Sequence, residues 1–226
     1  MFSMSTATTY YPYIAVIGDI KDSRNLGHRK ANQQKFTKTL ARLNHVYQKD
    51  IAAQFTVSMG DAFQGLLKDA SHLMVMLFEL ELSLAPIELR IGIGLGDIET
   101  ELNTESSLLN DGSSYHRARA MIEQIERSEK QYEQCYSNIL LSTGGQAVHY
   151  EKLINTIFSL ESVIKTKWTE RQKEIIRTYL ANEKNQYMTA EALNIGQSSV
   201  NKALNSAEFY TFNNSLITLQ NVINEL

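Results

Sequence analysis

Apolar and polar positions alternate with two periods along this chain, and the switches between them mark its elements. Tyr13 to Ile20 (YIAVIGDI) is a short apolar run ending in a carboxylate, the pattern of a buried strand. Arg29 to Ile51 carries Phe36, Leu40, Leu43 and Tyr47 at three- and four-residue steps, the stripe of an amphipathic helix. Val57 to Leu67 (VSMGDAFQGLL) reads as two short strands interrupted by Gly60-Asp61, a step that tolerates the backbone angles of a tight hairpin turn. Ser71 to Leu84 predicts a largely buried helix, stopped by Pro86. Glu88 to Ile98 (ELRIGIGLGDI) alternates bulky residues with glycine, a strand that admits close approach of another backbone or a ligand. Ser113 to Arg127 puts Tyr115, Ala118, Ile122 and Ile125 on one helical face, and Asn138 to Ser142 is a further strand. Strand, helix, strand, strand, helix, strand, helix and strand in that order predict an α+β fold, ferredoxin-like, with helices on one face of a sheet. Gly144-Gly145 closes this first domain, residues 1–145.

The second half is helical in period. Residues 146–168 form a connecting helix in which Leu153, Ile157, Leu160 and Ile164 recur at steps of four, three and four. Such a narrow seam suits either packing back on its own domain or a contact between two copies. Thr169-Glu170-Arg171-Gln172 has the form of a capping box and starts a small all-α domain, residues 169–226, with Ile175, Ile176, Tyr179 and Leu180 as its buried face. Met188 to Leu193, a turn at Asn194-Ile195-Gly196, and Gln197 to Leu204 give a helix-turn-helix, with Ala192, Leu193, Ile195, Val200 and Leu204 expected inside. That leaves Gln197, Ser198, Asn201, Lys202 and Asn205 pointing outward. Glutamine and asparagine can pair with adenine in the major groove, and lysine can reach guanine or phosphate, so these five are the candidate DNA-binding residues. A helical domain for protein contact is the plainer alternative. Asn213 to Leu226 predicts a final amphipathic helix.

Composition narrows this picture. A net charge of −3 over 226 residues argues against coating nucleic acid through bulk charge and leaves room only for a local patch. The longest apolar run, Leu73 to Leu84, is broken by two glutamates and too short for a bilayer, and the N-terminus lacks a secretory pattern, so a cytoplasmic location is expected. One cysteine, Cys135, excludes an internal disulfide or a cysteine-built zinc site. The sharpest chemistry is the pair Asp19 and Asp61, each directly after a glycine at a strand end. Two such carboxylates could grip Mg²⁺ or Mn²⁺, which keeps waters and a phosphate for its other positions. As ordinary turn aspartates they would need no ligand. Of the five histidines, His116 follows a Gly-Ser-Ser-Tyr segment and is expected to face this site, where a pH-sensing role is open to it.

Three resemblances add to this reading. MTAEALNIGQSSVNKAL is similar to the helix-turn-helix of sigma-factor region 4. The runs IGDIKDSR, SMGDAFQGLL, RIGIGLGDI and DGSSYHRAR resemble the palm of class III nucleotidyl cyclases, in which aspartates matching Asp19 and Asp61 bind two metals. In and beside these motifs, Gly18, Asp22, Arg24, Gly60 and His116 are the candidate nucleotide-binding residues. The cyclases' transition-state asparagine and arginine are replaced by His116 and Ala120, and their purine-reading lysine by Val57. Those groups stabilise charge on the triphosphate, so their loss points to sensing rather than turnover. Over nearly its whole length the chain resembles the bacterial SatD family, with its GDIKDSR opening, its Gly-Asp-x-Phe-Gln-Gly-Leu-Leu hairpin and its C-terminal helix-turn-helix, although Ala62 stands where an acidic residue is usual. The family's name records a connection with secretion and acid tolerance. The expectation is a DNA-binding, homodimeric transcription regulator in which a cyclase-like, ferredoxin-like palm senses a nucleotide or divalent metal. A metal-dependent nucleotidyl transferase or nucleotide hydrolase using Asp19 and Asp61 is the enzyme alternative, and a protein-interaction module is the third.

Overall fold

The structure is a computed structural model and describes residues 11–23, 27, 29–58, 61–131 and 137–226. Five strands, β1 (Tyr13–Ile20), β2 (Ile51–Ser58), β3 (Ala62–Leu67), β4 (Leu89–Gly96) and β5 (Ile139–Ser142), form one sheet in the order β2-β3-β1-β4-β5. β1 is antiparallel to both β3 and β4, and β5 is parallel to β4. The first four strands therefore have the ferredoxin-like order, extended by one parallel strand, and the fold is α+β as the periods predict. The helices between them are α1 (Arg29–Val46), α2 (Leu73–Leu84) and α3 (Ser113–Gln131).

Side-chain alternation along the strands assigns the two faces. Ile14, Val16, Phe63, Leu67, Ile91, Ile93 and Leu95 join the large core with Phe36, Leu40 and Leu43 of α1 and Leu73, Met74 and Leu77 of α2. The opposite face carries small residues, Ala15, Ala52 and Ala53, against Tyr115 and Ala118 of α3. The expectation of helices on one face is thus corrected: α3 covers the other. Its reason lies in β4, where a Cβ at Gly92 would collide with the Ala118 carbonyl oxygen and one at Gly94 with that of Ser114. The glycines of RIGIGLG let a helix backbone lie directly on the strand.

Beyond β5, Gly144 and Gly145 turn the chain with φ of 67° and 82°, the left-handed region that favours glycine. Five helices follow: α4 (Val148–Thr166), α5 (Glu170–Ala181), α6 (Gln186–Ala192), α7 (Gln197–Ser206) and α8 (Phe209–Asn224). The predicted capping box is present at the start of α5: Gln172 N–H donates to the Thr169 hydroxyl at 3.2 Å, and the Thr169 N–H donates to the Gln172 side chain at 2.8 Å. α8 begins four residues before the predicted helix, since Glu208 enters it in a left-handed conformation with no side-chain cap to signal the start.

One apolar cluster runs from the sheet through α2 into α4, α5 and α8. At the joint, Phe78 of α2, Trp168 and Phe212 of α8 form an aromatic trio with ring centroids 4.8 to 6.0 Å apart. Trp168 Nε1–H donates to the Ala207 carbonyl at 2.6 Å. Among the described residues no helix is long and apolar enough to cross a membrane.

Candidate functional sites at the sheet edge and the recognition helix

The β1/β3 register brings the two sequence-predicted aspartates together. Asp19 is paired with Ala62, and the Ile20 N–H donates to the Asp61 carbonyl at 3.0 Å, so both carboxylates stand at one end of the sheet. Asp19 is also opposite Arg90 of β4, whose Nη1 donates to Asp19 Oδ1 at 3.1 Å. Arg90 Nε donates to Glu129 Oε2 on α3 at 2.7 Å, and Lys21 Nζ lies 2.9 Å from Glu129 Oε1. Ser23 donates its hydroxyl to Asp61 Oδ2 at 2.5 Å. Burial is the main influence raising the Asp19 carboxyl above the usual range; Arg90 opposes it, while Glu126 and Asp61 add to it. Burial also acts to raise Glu129, but hydrogen bonds and charge from Lys21 and Arg90 outweigh it and hold that carboxyl low.

The chain of Lys21, Glu129, Arg90 and Asp19 is a feature sequence reading missed. Its members span residues 19 to 129, and only the register and the length of α3 join them. Two carboxylates suit a Mg²⁺ that retains waters and phosphate oxygens. They do not make a cage on their own: among the described residues no group of three or more histidine, cysteine, aspartate or glutamate side chains converges to hold a metal. Arg90 already occupies one oxygen of Asp19.

The nucleotide candidates divide. Gly18 turns toward the main core, where a Cβ would strike the Phe63 ring, so close packing accounts for this glycine. Asp22 is exposed at a turn with φ of 49°. Arg24 and Gly60 lie outside the described residues. His116 is not brought to the aspartates. It is exposed in the first turn of α3, 3.5 Å from Asp111, beside the Gly96 end of β4. Six strand positions separate that end from Arg90, roughly 20 Å at the rise of a strand.

The second candidate surface is α7. Asn185 caps α6, its side chain accepting from the N–H groups of Tyr187 and Met188. Asn194 takes the left-handed conformation in the turn (φ 50°), and α7 starts at Gln197. Val200 and Leu204 are fully buried, and Leu193 and Ile195 are half-buried against the core. Ala192, expected inside, is exposed; Thr189 and Ala190 take the interior positions, because α6 begins at Gln186 and its buried face is turned accordingly.

Ser198, Asn201, Lys202 and Asn205 are exposed and Gln197 is half-buried. Three of these belong to one network. Gln197 Nε2 donates to Gln186 Oε1 at 2.5 Å, Gln186 Nε2 to the Tyr210 hydroxyl at 2.8 Å and to Asn201 Oδ1 at 3.4 Å, and Asn205 Nδ2 to Asn201 Oδ1 at 3.0 Å. Gln186 and Tyr210 are neighbours of α7 that sequence reading missed. The Asn185 cap is the signal that could have placed Gln186 in the first turn of α6.

Among solved structures the chain is similar to a bacterial light-regulated adenylyl cyclase, with 14% identity over 60% of this chain and 78% of that one and a TM-score of 0.39. A second structure of a bacterial light-regulated adenylyl cyclase gives 15%, 57%, 42% and 0.40. A regulator of polyketide synthase expression from Bifidobacterium adolescentis gives 11%, 94%, 80% and 0.29. None of the curated proteins matches. The profile of the SatD family matches residues 13–219, nearly the whole span from the first strand into the last helix, and the chain belongs to the SatD family.

Proposed function

We propose that this protein is a DNA-binding regulator that reads DNA with α7. The observation that carries the reading is the α6-turn-α7 unit: apolar residues of both helices are buried, and one exposed face of α7 presents Ser198, Asn201, Lys202 and Asn205. The hydrogen bonds among Gln186, Gln197, Asn201 and Asn205 hold the amides in place before any ligand arrives, which lowers the ordering cost of binding. Asn201 can offer its amide to an adenine edge, and Lys202 can meet phosphate. Acidic and basic residues nearly balance in this region, so affinity would depend on such directed contacts more than on charge.

Fluorescence anisotropy with a labelled fragment from its own promoter tests this. Asn201→Ala with Lys202→Ala is expected to weaken binding by on the order of tenfold or more, a base contact alone being worth about 1–3 kcal/mol. Unchanged affinity in the double variant would remove α7 from the interface.

A second reading concerns the sheet edge and is favoured by the proximity of Asp19 and Asp61 and by the carboxylates crowding Asp19. In this reading the palm senses a divalent cation carrying a nucleotide phosphate. Titration of Mn²⁺ with a nucleoside triphosphate, followed by electron paramagnetic resonance, should show binding in the wild type that is lost in Asp61→Asn. Equal binding by the two proteins would dismiss it. Release of pyrophosphate in the same mixture would favour the transferase alternative.

A further inference from the structure

The side-chain amides of Gln186, Gln197, Asn201 and Asn205 interlock beside α7, and the direction of every bond among them follows from one main-chain atom. The Asn201 carbonyl can only accept, so Asn205, one turn on, presents its amino group inward, 2.8 Å from that oxygen. The same Nδ2 donates to Asn201 Oδ1 at 3.0 Å, which makes the Asn201 side-chain oxygen an acceptor. Gln186 therefore approaches Oδ1 with its own amino group, at 3.4 Å, and gives its other proton to the Tyr210 hydroxyl at 2.8 Å. Its oxygen is left to accept from Gln197 Nε2 at 2.5 Å. Turning any one amide over would set two donors or two acceptors face to face.

The atoms left over define what α7 can offer. α7 packs on α5, α6 and α8, all of whose residues are described. Among the described residues Asn201 Nδ2 keeps both protons, and Gln197 Oε1 accepts from nothing. Asn201 is exposed and Gln197 half-buried, four residues apart on one face of the helix.

We propose that this lock makes Asn201 a reader of guanine, with Gln186 as the residue that positions it; the inference rests on the reading of α7 as the DNA-contacting helix. A free asparagine pairs with adenine through both amide atoms, its oxygen taking a proton from the N6 amino group and its nitrogen giving one to N7. Here the oxygen already takes two protons, one for each lone pair. Adenine would have to displace one of those donors, or set its amino group against that of Asn201. Guanine presents only acceptors at the same edge, N7 and O6, and the two protons of Nδ2 match them. Gln197, its amino group held by Gln186, offers an oxygen instead and so suits a base amino group, on adenine or cytosine. The helix thus carries an acceptor and, one turn later, a donor.

Selection from a random duplex library with the full chain, followed by sequencing of the bound fraction, tests this. The wild type should enrich a motif, and Asn201→Ala should lose the preference at one base pair of it. At that pair the wild type should favour guanine over adenine by about tenfold, the ordinary scale of one mismatched pair. Gln186→Ala with Asn205→Ala frees the Asn201 oxygen and should admit adenine there, bringing the two bases toward parity. A merely structural role for these residues would weaken binding to every sequence alike and leave the ratio as it was. Should the double variant misfold, Asn205→Ala alone should lower the ratio by about threefold, the effect of one modest hydrogen bond. Adenine preferred at the Asn201 pair, or a guanine preference that both variants leave intact, would overturn the proposal while leaving α7 on the DNA. A wild type that enriches no sequence would take the DNA-binding reading down with it.

Discussion

Gly92→Ala is expected to lower the melting temperature by roughly 6–12 °C, from an overpacking cost of about 3 kcal/mol at about 2–4 °C per kcal/mol in a chain of this size. The added methyl would meet the Ala118 carbonyl oxygen and the carbonyl carbon behind it, with the Ile122 side chain close by. A flexible side chain could swing aside; a helix backbone cannot. To make room, α3 must lift from β4, which unseats Tyr115 and Ala118 from the alanine-rich face of the sheet. Gly94→Ala meets the same obstruction at Ser114 one turn earlier, so the double variant should not fold. Differential scanning calorimetry decides this: a shift under about 2 °C would mean that α3 does not lie on the strand at this distance.

The second large effect is a dependence of stability on pH, centred on Glu161. This side chain is 2% exposed between α4 and α8, where Ser215 donates its hydroxyl to Oε1 at 2.6 Å. Burial pushes its carboxyl from 4.5 up to about 7; Ser215 and Lys165 pull it down, and Glu81, which holds Lys165 at 2.7 Å, pushes it further up. The unfolded chain releases this proton near pH 4.5 and the folded chain only near 7. Between those values the native state holds more protons, so stability falls as pH rises and levels off above both. The whole effect is on the order of 3 kcal/mol. Glu161→Gln can still accept from Ser215 but carries no proton to lose. Urea titrations at pH 5 and pH 8 should show the wild type markedly weaker at the higher pH and the variant losing most of that difference. A wild type equally stable at both would contradict the assignment.

Local features were legible in the sequence where one residue type dictates one geometry. Thr169 and Gln172 announced their capping box, the Gly-Asp step announced the β2-β3 hairpin, and period located α2, α3, β1, β3, β4 and β5; α1 however ends at Val46 rather than Ile51, and β2 begins at Ile51 rather than Val57. The approach of Asp19 to Asp61 was also readable, since a carboxylate ending β1 and one beginning β3 meet once those strands pair. What stayed hidden depends on three-dimensional phase. Glycines of β4 said that something comes close, but not that it is α3 on the face opposite α1 and α2. Ala192 and Ala190 differ by two positions, enough to exchange outside for inside on a helix. Arg90 and Glu129 gave no sign of each other. The seam of α4 was visible as a repeat, yet Ile154 and Phe158, not its four members, take the fully buried positions.

The indole of Trp168 acts as a pin through the short joint between α4 and α5. With Phe78 on one side and Phe212 on the other, it leaves the terminal helices no swivel of their own. α8 is, in effect, a lid screwed onto α2: Gln220 accepts from the Met74 N–H at 2.9 Å, and Phe212 closes over Phe78. Cutting the chain before Phe209 would thus not free a compact sheet domain; it would strip greasy surface bare along α2 and leave a sticky, poorly soluble fragment.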